Sequence, residues 1–527
     1  MPTRRNEMLH LDATTRPRPT MTGLVPATLF ALVALLPATA LATTIVPERQ
    51  LEDVDITFAV ERELRSAGGV EADPIDVETT LGVVTLSGRA DNLLASERAE
   101  QVASIVKGVR AVVNRIEVRP EARTDDAIRQ DVRAALTRGR ATDSWEIDVE
   151  VEQGTATLTG DVDSWWEKRL AEKIAAGVRG LAAVDNRLEV RQTKLRPDFE
   201  IADDVRSVLA WDLRINDNLI DVEVADGHVR LSGAVSSAFE KTLSETKAHV
   251  AGVASVDASA LEVEWWSRDH MIRSPAREPK SDERIEAAVR DALRLDPRIT
   301  SQAVEVDVNN GTATLSGTVK RLGAKHAAIR DAANTTGVWR VKDYLKVRPL
   351  ERDDADIADD VRTALLADPY VNYFDVDVHV RSGVVSLTGL VESRFEKRQI
   401  ERLAAEVRGV TSIRNLLGVS RDEAEVSVQE EWWETPLTDS YALEPPVLAP
   451  PSDREILLDI EQEMFWSPFV DSREIEVTVS DGVAHLSGTV NSRFERREAE
   501  KEAYQGGAIE VDNDLELRAR PPVPAAL

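Results

Sequence analysis

The sequence has no cysteine, few aromatic residues and, beyond residue 42, no long apolar run. Without cysteine the chain cannot form disulfides, thiolate metal sites, a cysteine nucleophile or a lipidated cysteine. Aromatic residues make up only 5% of the chain, which indicates several small cores rather than one large core. The formal net charge of −29 repels polyanions, so we expect no nucleic-acid partner.

The only long apolar stretch lies near the N-terminus, after a segment that carries four arginines. It ends in Ala40-Leu41-Ala42, a small-x-small pattern typical of a signal peptidase site. Two prolines interrupt the stretch, and a membrane-spanning helix needs about 20 apolar residues. The sequence therefore predicts a signal peptide over residues 1–42, cleaved near Ala42, and export to the periplasm. An uncleaved membrane anchor is the alternative.

The dominant feature is a short motif, Gly-x-x-x-Leu-(Ser/Thr)-Gly, that occurs six times. Before each copy, apolar and acidic residues alternate, which is typical of a strand with one buried side. The first glycine suits a tight turn between two antiparallel strands, and we expect the last glycine to end the second strand before a helix. The twelve motif glycines are Gly82, Gly88, Gly154, Gly160, Gly227, Gly233, Gly311, Gly317, Gly383, Gly389, Gly482 and Gly488.

A helical pattern lies on each side of every predicted hairpin. Upstream, an acidic residue opens a segment with apolar residues at three- and four-residue spacing, as in DERIEAAVRDAL from Asp282. Downstream, a second helix ends at a glycine and leads to a third apolar strand. Each unit is thus predicted to be α-β-β-α-β, with a parallel third strand and both helices on one side of the sheet. A position early in the second helix holds Trp166, Phe239, Phe395 and Phe494 in four units, and Leu94 and Gly323 in the other two.

These features together resemble the BON domain family. The resemblance rests on the hairpin motif, the amphipathic helix and a closing Gly-Val-x-x-Val-x-Asn. It implies an α+β fold of six tandem modules, each a three-stranded mixed sheet with two helices. The closing asparagines are Asn114, Asn186, Asn415 and Asn513, while Asp343 and Ala258 depart from the pattern. The predicted modules span residues 52–119, 125–191, 198–264, 282–348, 353–420 and 453–518.

Two segments are predicted to be linkers, over residues 265–281 and, rich in proline, over 434–452. Their positions predict compact blocks of three, two and one modules.

No set of unlike polar residues indicates catalysis. The histidines of the mature chain lack metal-ligand spacing, and the carboxylates from Asp353 to Asp360 lack the rhythm of a calcium loop. We therefore expect no enzyme, no catalytic or metal site and no cofactor. Recurring acid–base pairs in the second helices are interpreted as exposed helix charges: Glu240-Lys241, Glu396-Lys397 and Glu495-Arg496.

Aromatic residues are the best candidates for contact with a membrane or a partner. In the last module, Met464, Phe465, Trp466 and Phe469 lie too close together for one helical stripe to bury them all, so we expect at least one to point outward. The tryptophan pairs either cap the end of a sheet or join neighbouring repeats, or else they form an exposed contact for a partner or a bilayer surface. These pairs are Trp165-Trp166, Trp265-Trp266 and Trp432-Trp433.

The resemblance implies a binding or scaffold protein that contacts a phospholipid membrane surface or envelope proteins and supports the envelope under osmotic stress. Several weak modules in one chain can gain avidity without a strong single site. The alternative is a periplasmic chaperone-like stress protein that holds clients.

Overall fold

The computed structural model describes residues 51–139, 147–191, 196–265, 267, 280–299, 303–349, 352–419 and 452–518. The predicted signal peptide, nearly all of the two predicted linkers, and Trp266, Trp432 and Trp433 lie outside the described residues.

The described residues form twelve α-helices and six small sheets, and the predicted fold class is confirmed. Two helices belong to each module, and we number the modules 1 to 6 in chain order, each beginning with an odd-numbered helix. The helices are α1 Asp53–Ser66, α2 Leu93–Ser104, α3 Asp125–Gly139, α4 Trp165–Ala176, α5 Asp198–Trp211, α6 Ala238–Lys247, α7 Asp282–Leu295, α8 Leu322–Ala333, α9 Asp354–Ala367, α10 Arg394–Glu406, α11 Asp453–Trp466 and α12 Arg493–Gln505.

In every sheet the second strand is central: it pairs antiparallel with the first and parallel with the third. In modules 2, 5 and 6 the third strand is divided into two short pieces. The strands are β1 Ile75–Thr80, β2 Val83–Ala90, β3 Ala111–Val118, β4 Ile147–Glu152, β5 Thr155–Val162, β6 Ala183–Asn186, β7 Glu189–Val190, β8 Ile220–Ala225, β9 His228–Val235, β10 Ser255–Val263, β11 Val304–Asn309, β12 Thr312–Val319, β13 Arg340–Val347, β14 Val376–Arg381, β15 Val384–Val391, β16 Ser412–Asn415, β17 Gly418–Val419, β18 Ile475–Ser480, β19 Val483–Val490, β20 Glu510–Asn513 and β21 Glu516–Leu517.

An aspartate at the start of the first helix ties that helix to the hairpin turn in all six modules. In module 3 the carboxylate of Asp198 accepts hydrogen bonds from the backbone N–H groups of Asp226 and Gly227, both at 2.9 Å. An acidic residue in the first turn is favourable for the helix dipole, and in this structure its hydrogen-bond partner is the hairpin turn. The other five aspartates are Asp53, Asp125, Asp282, Asp354 and Asp453.

The first motif glycine lies in a tight turn, as predicted, but the prediction for the last glycine was wrong. Asp226 and Gly227 have φ angles of 52° and 76°, which is the geometry of a two-residue hairpin turn. Gly233 lies inside β9 rather than at its end, with a φ of 115°. A Cβ there would collide with the carbonyl oxygen of Leu219, so this position allows the first strand to come close. The equivalent glycines are Gly88, Gly160, Gly317, Gly389 and Gly488, each inside the second strand of its module.

Each module has an apolar core between its two helices and one side of its sheet, as in the cluster that contains Val361, Leu387 and Ile400 of module 5. The opposite side of the sheet is polar. In β4, Ile147 is buried and Asp148 is exposed, and the same alternation continues along the strand. First-strand carboxylates therefore place negative charge on the outer side of the sheets.

The modules do not pack in the predicted blocks of three, two and one. Module 6 contacts module 1, where the backbone N–H of Lys107 donates to the carbonyl of Trp466 at 3.1 Å. It also contacts module 3, through the rings of Phe469 and Phe239 at 5.5 Å. Sequence spacing did not show this because the contacting surfaces belong to modules far apart in the chain.

Candidate functional site: an aromatic pocket between modules

A pocket of about 110 Å³ lies where modules 1, 3 and 6 meet. Module 1 contributes Lys107 from the segment after α2, and module 3 contributes Trp265 from the segment after β10. Module 6 contributes Phe465, Asp471 and Arg473. Two aromatic rings, two cationic groups and one carboxylate therefore surround the same small space.

Lys107 is held between the two rings. Its Nζ lies 4.9 Å from the ring centroid of Trp265 and 4.5 Å from that of Phe465. Both distances are in the range of a cation–π interaction, worth about 0.5–2 kcal/mol depending on exposure. The backbone of Lys107 is fixed as well, because its N–H donates to Trp466. The ammonium is thus positioned at the pocket by two modules other than its own.

Asp471 and Arg473 form a two-point ion pair at the pocket wall. Arg473 donates from Nε and Nη2 to the two carboxylate oxygens of Asp471, at 2.8 and 3.0 Å. The carboxylate is buried, at 8% exposed, and the backbone N–H of Asp471 donates to Glu495 at 2.9 Å. Arg473 is thereby held in one orientation and keeps 44% of its side chain accessible.

The predicted contact residues of module 6 have different surroundings, and one of them is not at the surface. Met464 is 1% exposed in the core of the module, so a contact role for it is wrong. Phe465 lines the pocket, and Trp466 packs against the core of module 1. Phe469 lies edge-on to Phe239 of module 3 and to Phe494 of its own module, at 5.5 and 5.3 Å. All three remaining side chains are half-buried where modules meet rather than pointing freely outward.

Two tryptophans from the predicted pairs, Trp165 and Trp265, contact residues of another module. Trp165 of module 2 stacks on His249 of module 3, with ring centroids 4.0 Å apart and an interplanar angle of 4°. Burial, together with the charge of Arg169, lowers the pKa of His249 to about 4, so this ring is neutral at pH 7. Trp265 contacts Lys107 of module 1. These contacts favour the interpretation that Trp165 and Trp265 connect modules to each other.

The acid–base pairs of the second helices are not exposed charges, and that interpretation was wrong. Glu240 is 2% exposed and accepts hydrogen bonds from the backbone N–H groups of Asn216 at 2.6 Å and Ser236 at 2.8 Å. The adjacent Lys241 donates from Nζ to the carbonyl of Leu261 at 2.7 Å. The pair therefore connects the segment after the first helix, the second helix and the third strand. The equivalent buried glutamates are Glu167, Glu396 and Glu495.

A second cluster of buried ionisable groups lies where module 1 meets module 6. The Nε of Arg62 lies 2.9 Å from a carboxylate oxygen of Glu463, and Gln505 donates to Glu63 at 3.4 Å. Burial, and then contact with Glu463, raise the pKa of Glu63 to about 8. Burial also raises the pKa of Glu502, to about 7. The sequence offered no signal for this cluster, because its members come from opposite ends of the chain.

Among the described residues, no helix has the length and apolarity needed to traverse a bilayer. The same residues contain no group of three or more histidine, aspartate or glutamate side chains arranged to hold a metal ion.

Six helix–hairpin–helix–strand units with cores of their own define a tandem-repeat protein of small α+β modules. The chain belongs to the BON domain family: the BON domain model matches residues 52–120, 124–192, 197–264, 281–349, 353–421 and 452–519.

The chain is also similar to individual known proteins. It is 32% identical to osmotically-inducible protein Y of Escherichia coli (strain K12) over 167 residues, which are 32% of this chain and 73% of the relative. Two matching solved structures are of CdsD, a structural protein of the Type III secretion system of Chlamydia trachomatis, and of the CdsD C-terminal domain. They are 15% and 14% identical, cover 42% and 43% of this chain and 94% and 100% of the solved chains, and have TM-scores of 0.12.

Proposed function

We propose that this protein is an exported binding or scaffold protein of the bacterial envelope that supports envelope integrity under osmotic stress. The similarity to osmotically-inducible protein Y supports the osmotic part of the proposal. The apolar stretch that ends at Ala42 supports export to the periplasm. Its action is binding rather than catalysis, through contact with phospholipid or with membrane-associated proteins.

The pocket between modules 1, 3 and 6 carries the proposal. Lys107 and Arg473 can contact a phosphate group, and the rings of Trp265 and Phe465 can contact an adjoining apolar chain. Phospholipids present this combination, with a phosphate in the head group and apolar acyl chains beside it. Because the net charge of −29 repels an anionic membrane as a whole, a local site of this kind is needed for any contact with anionic lipid.

Vesicle flotation of the chain from residue 43 onward tests the proposal. We expect flotation with vesicles that contain phosphatidylglycerol or cardiolipin, and less with phosphatidylethanolamine alone. Moderate salt should strengthen binding, because it screens repulsion between the acidic protein and the membrane. The double variant Lys107→Met/Arg473→Ala should lose flotation. Arg187→Ala, which removes an arginine with 68% of its side chain exposed in module 2, should float like the parent protein.

The variant Phe465→Ala/Trp466→Ala should also lose flotation, and its circular dichroism shows whether the modules remain folded. No flotation with any vesicle, together with suppressed aggregation of unfolded client proteins, would replace the proposal with the chaperone alternative. In cells, deletion of the gene should slow growth after an upward osmotic shift, and the Lys107→Met/Arg473→Ala variant should not restore it.

A further inference from the structure

Three hydrogen bonds at equivalent positions join modules 1–3 to modules 4–6. In each, the donor directly precedes the glycine that follows a second helix, and the acceptor is the last residue of a first helix. Module 1 thereby pairs with module 6, module 2 with module 5, and module 3 with module 4. The three bonds run from the N–H of Lys107 to the carbonyl of Trp466 at 3.1 Å, from Arg179 to Ala367 at 2.7 Å, and from Thr336 to Trp211 at 2.8 Å.

Side chains reinforce each of these pairings. Arg179 of module 2 donates from Nη2 to two carbonyls of module 5, those of Asp368 at 2.9 Å and Val371 at 2.8 Å. In the pairing of modules 3 and 4, the N–H of Leu213 donates to the carbonyl of Asn334 at 3.0 Å. In the pairing of modules 1 and 6, the ion pair between Arg62 and Glu463 adds to the backbone bond.

Within the first half, the start of each second helix packs against the end of another. Leu94 of module 1 lies against Gly177 of module 2, and Trp165 of module 2 stacks on His249 of module 3. The N–H of Ala238 in module 3 then donates to the carbonyl of Val109 in module 1 at 3.3 Å. Module 1 therefore contacts module 2, module 2 contacts module 3, and module 3 contacts module 1, so the three modules form a closed ring of contacts.

The second half follows the same order. The carboxylate of Glu406 in module 5 lies against Gly323 of module 4, and Arg394 of module 5 lies over the ring of Tyr504 in module 6, 5.9 Å from its centroid. Arg493 of module 6 lies near Arg340 of module 4, and the two positive charges repel each other. Two cyclic sets of three modules joined by three equivalent pairings have the connectivity of a trimer of pairs with approximate dihedral symmetry.

We propose that each three-module half is an interaction surface that fits the other half of a second copy of this chain, so that two copies can associate by exchanging halves. All three pairings cross between the halves, and every acceptor and donor that they use is present in any second copy. Residues 268–279 connect the halves and include two prolines and several charged residues. Exchange of an equivalent element between copies uses contacts that already exist in the single chain, so it needs no new surface.

The absence of cysteine allows a direct test with full-length chains. Gln505 of module 6 donates to Ser66 of module 1 at 3.4 Å, so the two positions mark one pairing. The variants Ser66→Cys and Gln505→Cys are mixed, unfolded in urea, refolded at high concentration and treated with a short bismaleimide. A covalent dimer forms at this pair when module 1 of one copy has met module 6 of the other. We expect at least about tenfold more dimer than from Ser66→Cys mixed with Glu245→Cys, because pairing raises the local thiol concentration.

Two measurements keep the outcome decisive. The double variant Ser66→Cys/Gln505→Cys should cross-link within a single chain at low concentration. Absence of that product would overturn the pairing of modules 1 and 6. Separately, a protease site inserted within residues 268–279 allows the chain to be cut after folding, and the cut halves should elute together as a one-to-one complex.

Arg179→Ala should weaken that complex by about tenfold or more, because it removes two hydrogen bonds that a charged group donates across the pairing. Arg187→Ala should leave the complex unchanged. Halves that separate on the column, or a mixed-variant dimer yield equal to the control, would overturn the proposal.

Discussion

Glu63 of module 1 and Glu463 of module 6 lie against each other where the first and last modules meet. Two buried carboxylates in contact cannot both be ionised at low cost, so Glu63 holds a proton near neutral pH. Burial is the largest cause of its raised pKa, and the hydrogen bond and charge of Glu463 add to it. Arg62 and Lys501 oppose the shift, while Glu502 from α12 adds a third carboxylate to the cluster. This contact between modules therefore depends on protonation.

The contribution of Glu63 to the free energy of unfolding should fall as the pH rises from about 4.5 to about 8, the ordinary and the raised pKa of this group. In that window the folded chain keeps a proton that the unfolded chain has released, so each retained proton changes stability by about 1.4 kcal/mol per pH unit. Glu502 acts in the same direction up to about pH 7. Glu63→Gln keeps a side chain that can form hydrogen bonds but cannot release a proton in this pH range. The free energy of unfolding of this variant should therefore vary less with pH than that of the parent protein.

Urea titrations at a series of pH values, followed by amide hydrogen exchange in α1 and α11, measure this dependence. Glu61→Gln changes a carboxylate with 42% of its side chain exposed in the same helix and should behave like the parent protein. A Glu63→Gln profile as steep as that of the parent would show that the buried pair does not control this contact.

Much of the fold followed from the sequence, because each module repeats strong local signals. The alternation before Gly227 and the helical pattern after Asp198 depend on neighbouring residues only, so they predicted the hairpin and the first helix. The burial of Glu240 could not be predicted in the same way. From the sequence alone, a glutamate on a helix is expected to face solvent. Glu240 is buried because the backbone N–H groups of Asn216 and Ser236 need an acceptor, and that need appears only in the folded structure.

The candidate site was predicted only in part. The concentration of aromatic residues identified Phe465 and Trp265, but not that they face the same lysine. Lys107 is one of many charged residues in the sequence, and only the packing of three modules distinguishes it. The position of Met464 in the core also depends on the exact rotation of α11, which the spacing of four neighbouring apolar residues does not determine.

Glu240→Ala should strongly destabilise module 3. The substitution leaves the backbone N–H groups of Asn216 and Ser236 without their acceptor in a buried position, which costs about 1–3 kcal/mol for each group that water cannot reach. Hydrogen exchange should therefore accelerate in α6 and in the segment before β8. Glu245→Ala, on the exposed side of the same helix, is the matched control and should leave exchange unchanged. Equal protection in both variants would contradict the structural role of Glu240.

Asp198→Ala should loosen the hairpin of module 3 without unfolding the other modules. It removes two hydrogen bonds to the turn, each worth about 0.5–1.5 kcal/mol. Exchange should accelerate at Asp226 and Gly227 before it changes in the core. Asp203→Ala removes an exposed carboxylate of the same helix that forms an ion pair with Arg206, and it should have little effect. If exchange at the turn were faster in the Asp203 variant than in the Asp198 variant, Asp198 would not be the residue that holds the hairpin.

The two motif glycines of module 3 should differ in what they tolerate. Gly227 has a left-handed φ of 76° in the turn, a conformation that asparagine adopts more readily than other residues with a side chain. Gly227→Asn should therefore cost about 1 kcal/mol or less. At Gly233, a φ of 115° and the approach of the Leu219 carbonyl leave no space for a Cβ. Gly233→Ala must separate β8 from β9 locally, so we expect a loss on the order of 3 kcal/mol.

Thermal unfolding and exchange in β8 and β9 distinguish the two variants, and Gly233→Ala should lower the first unfolding transition by several degrees. The same contrast should hold at Gly82 and Gly88 of module 1, where the Pro74 carbonyl approaches Gly88 as the Leu219 carbonyl approaches Gly233. If Gly233→Ala were as well tolerated as Gly227→Asn, the close approach of the first strand would not be what requires glycine there. A positive result in both modules would show that the second glycine of the motif is required by sheet packing rather than by a strand end.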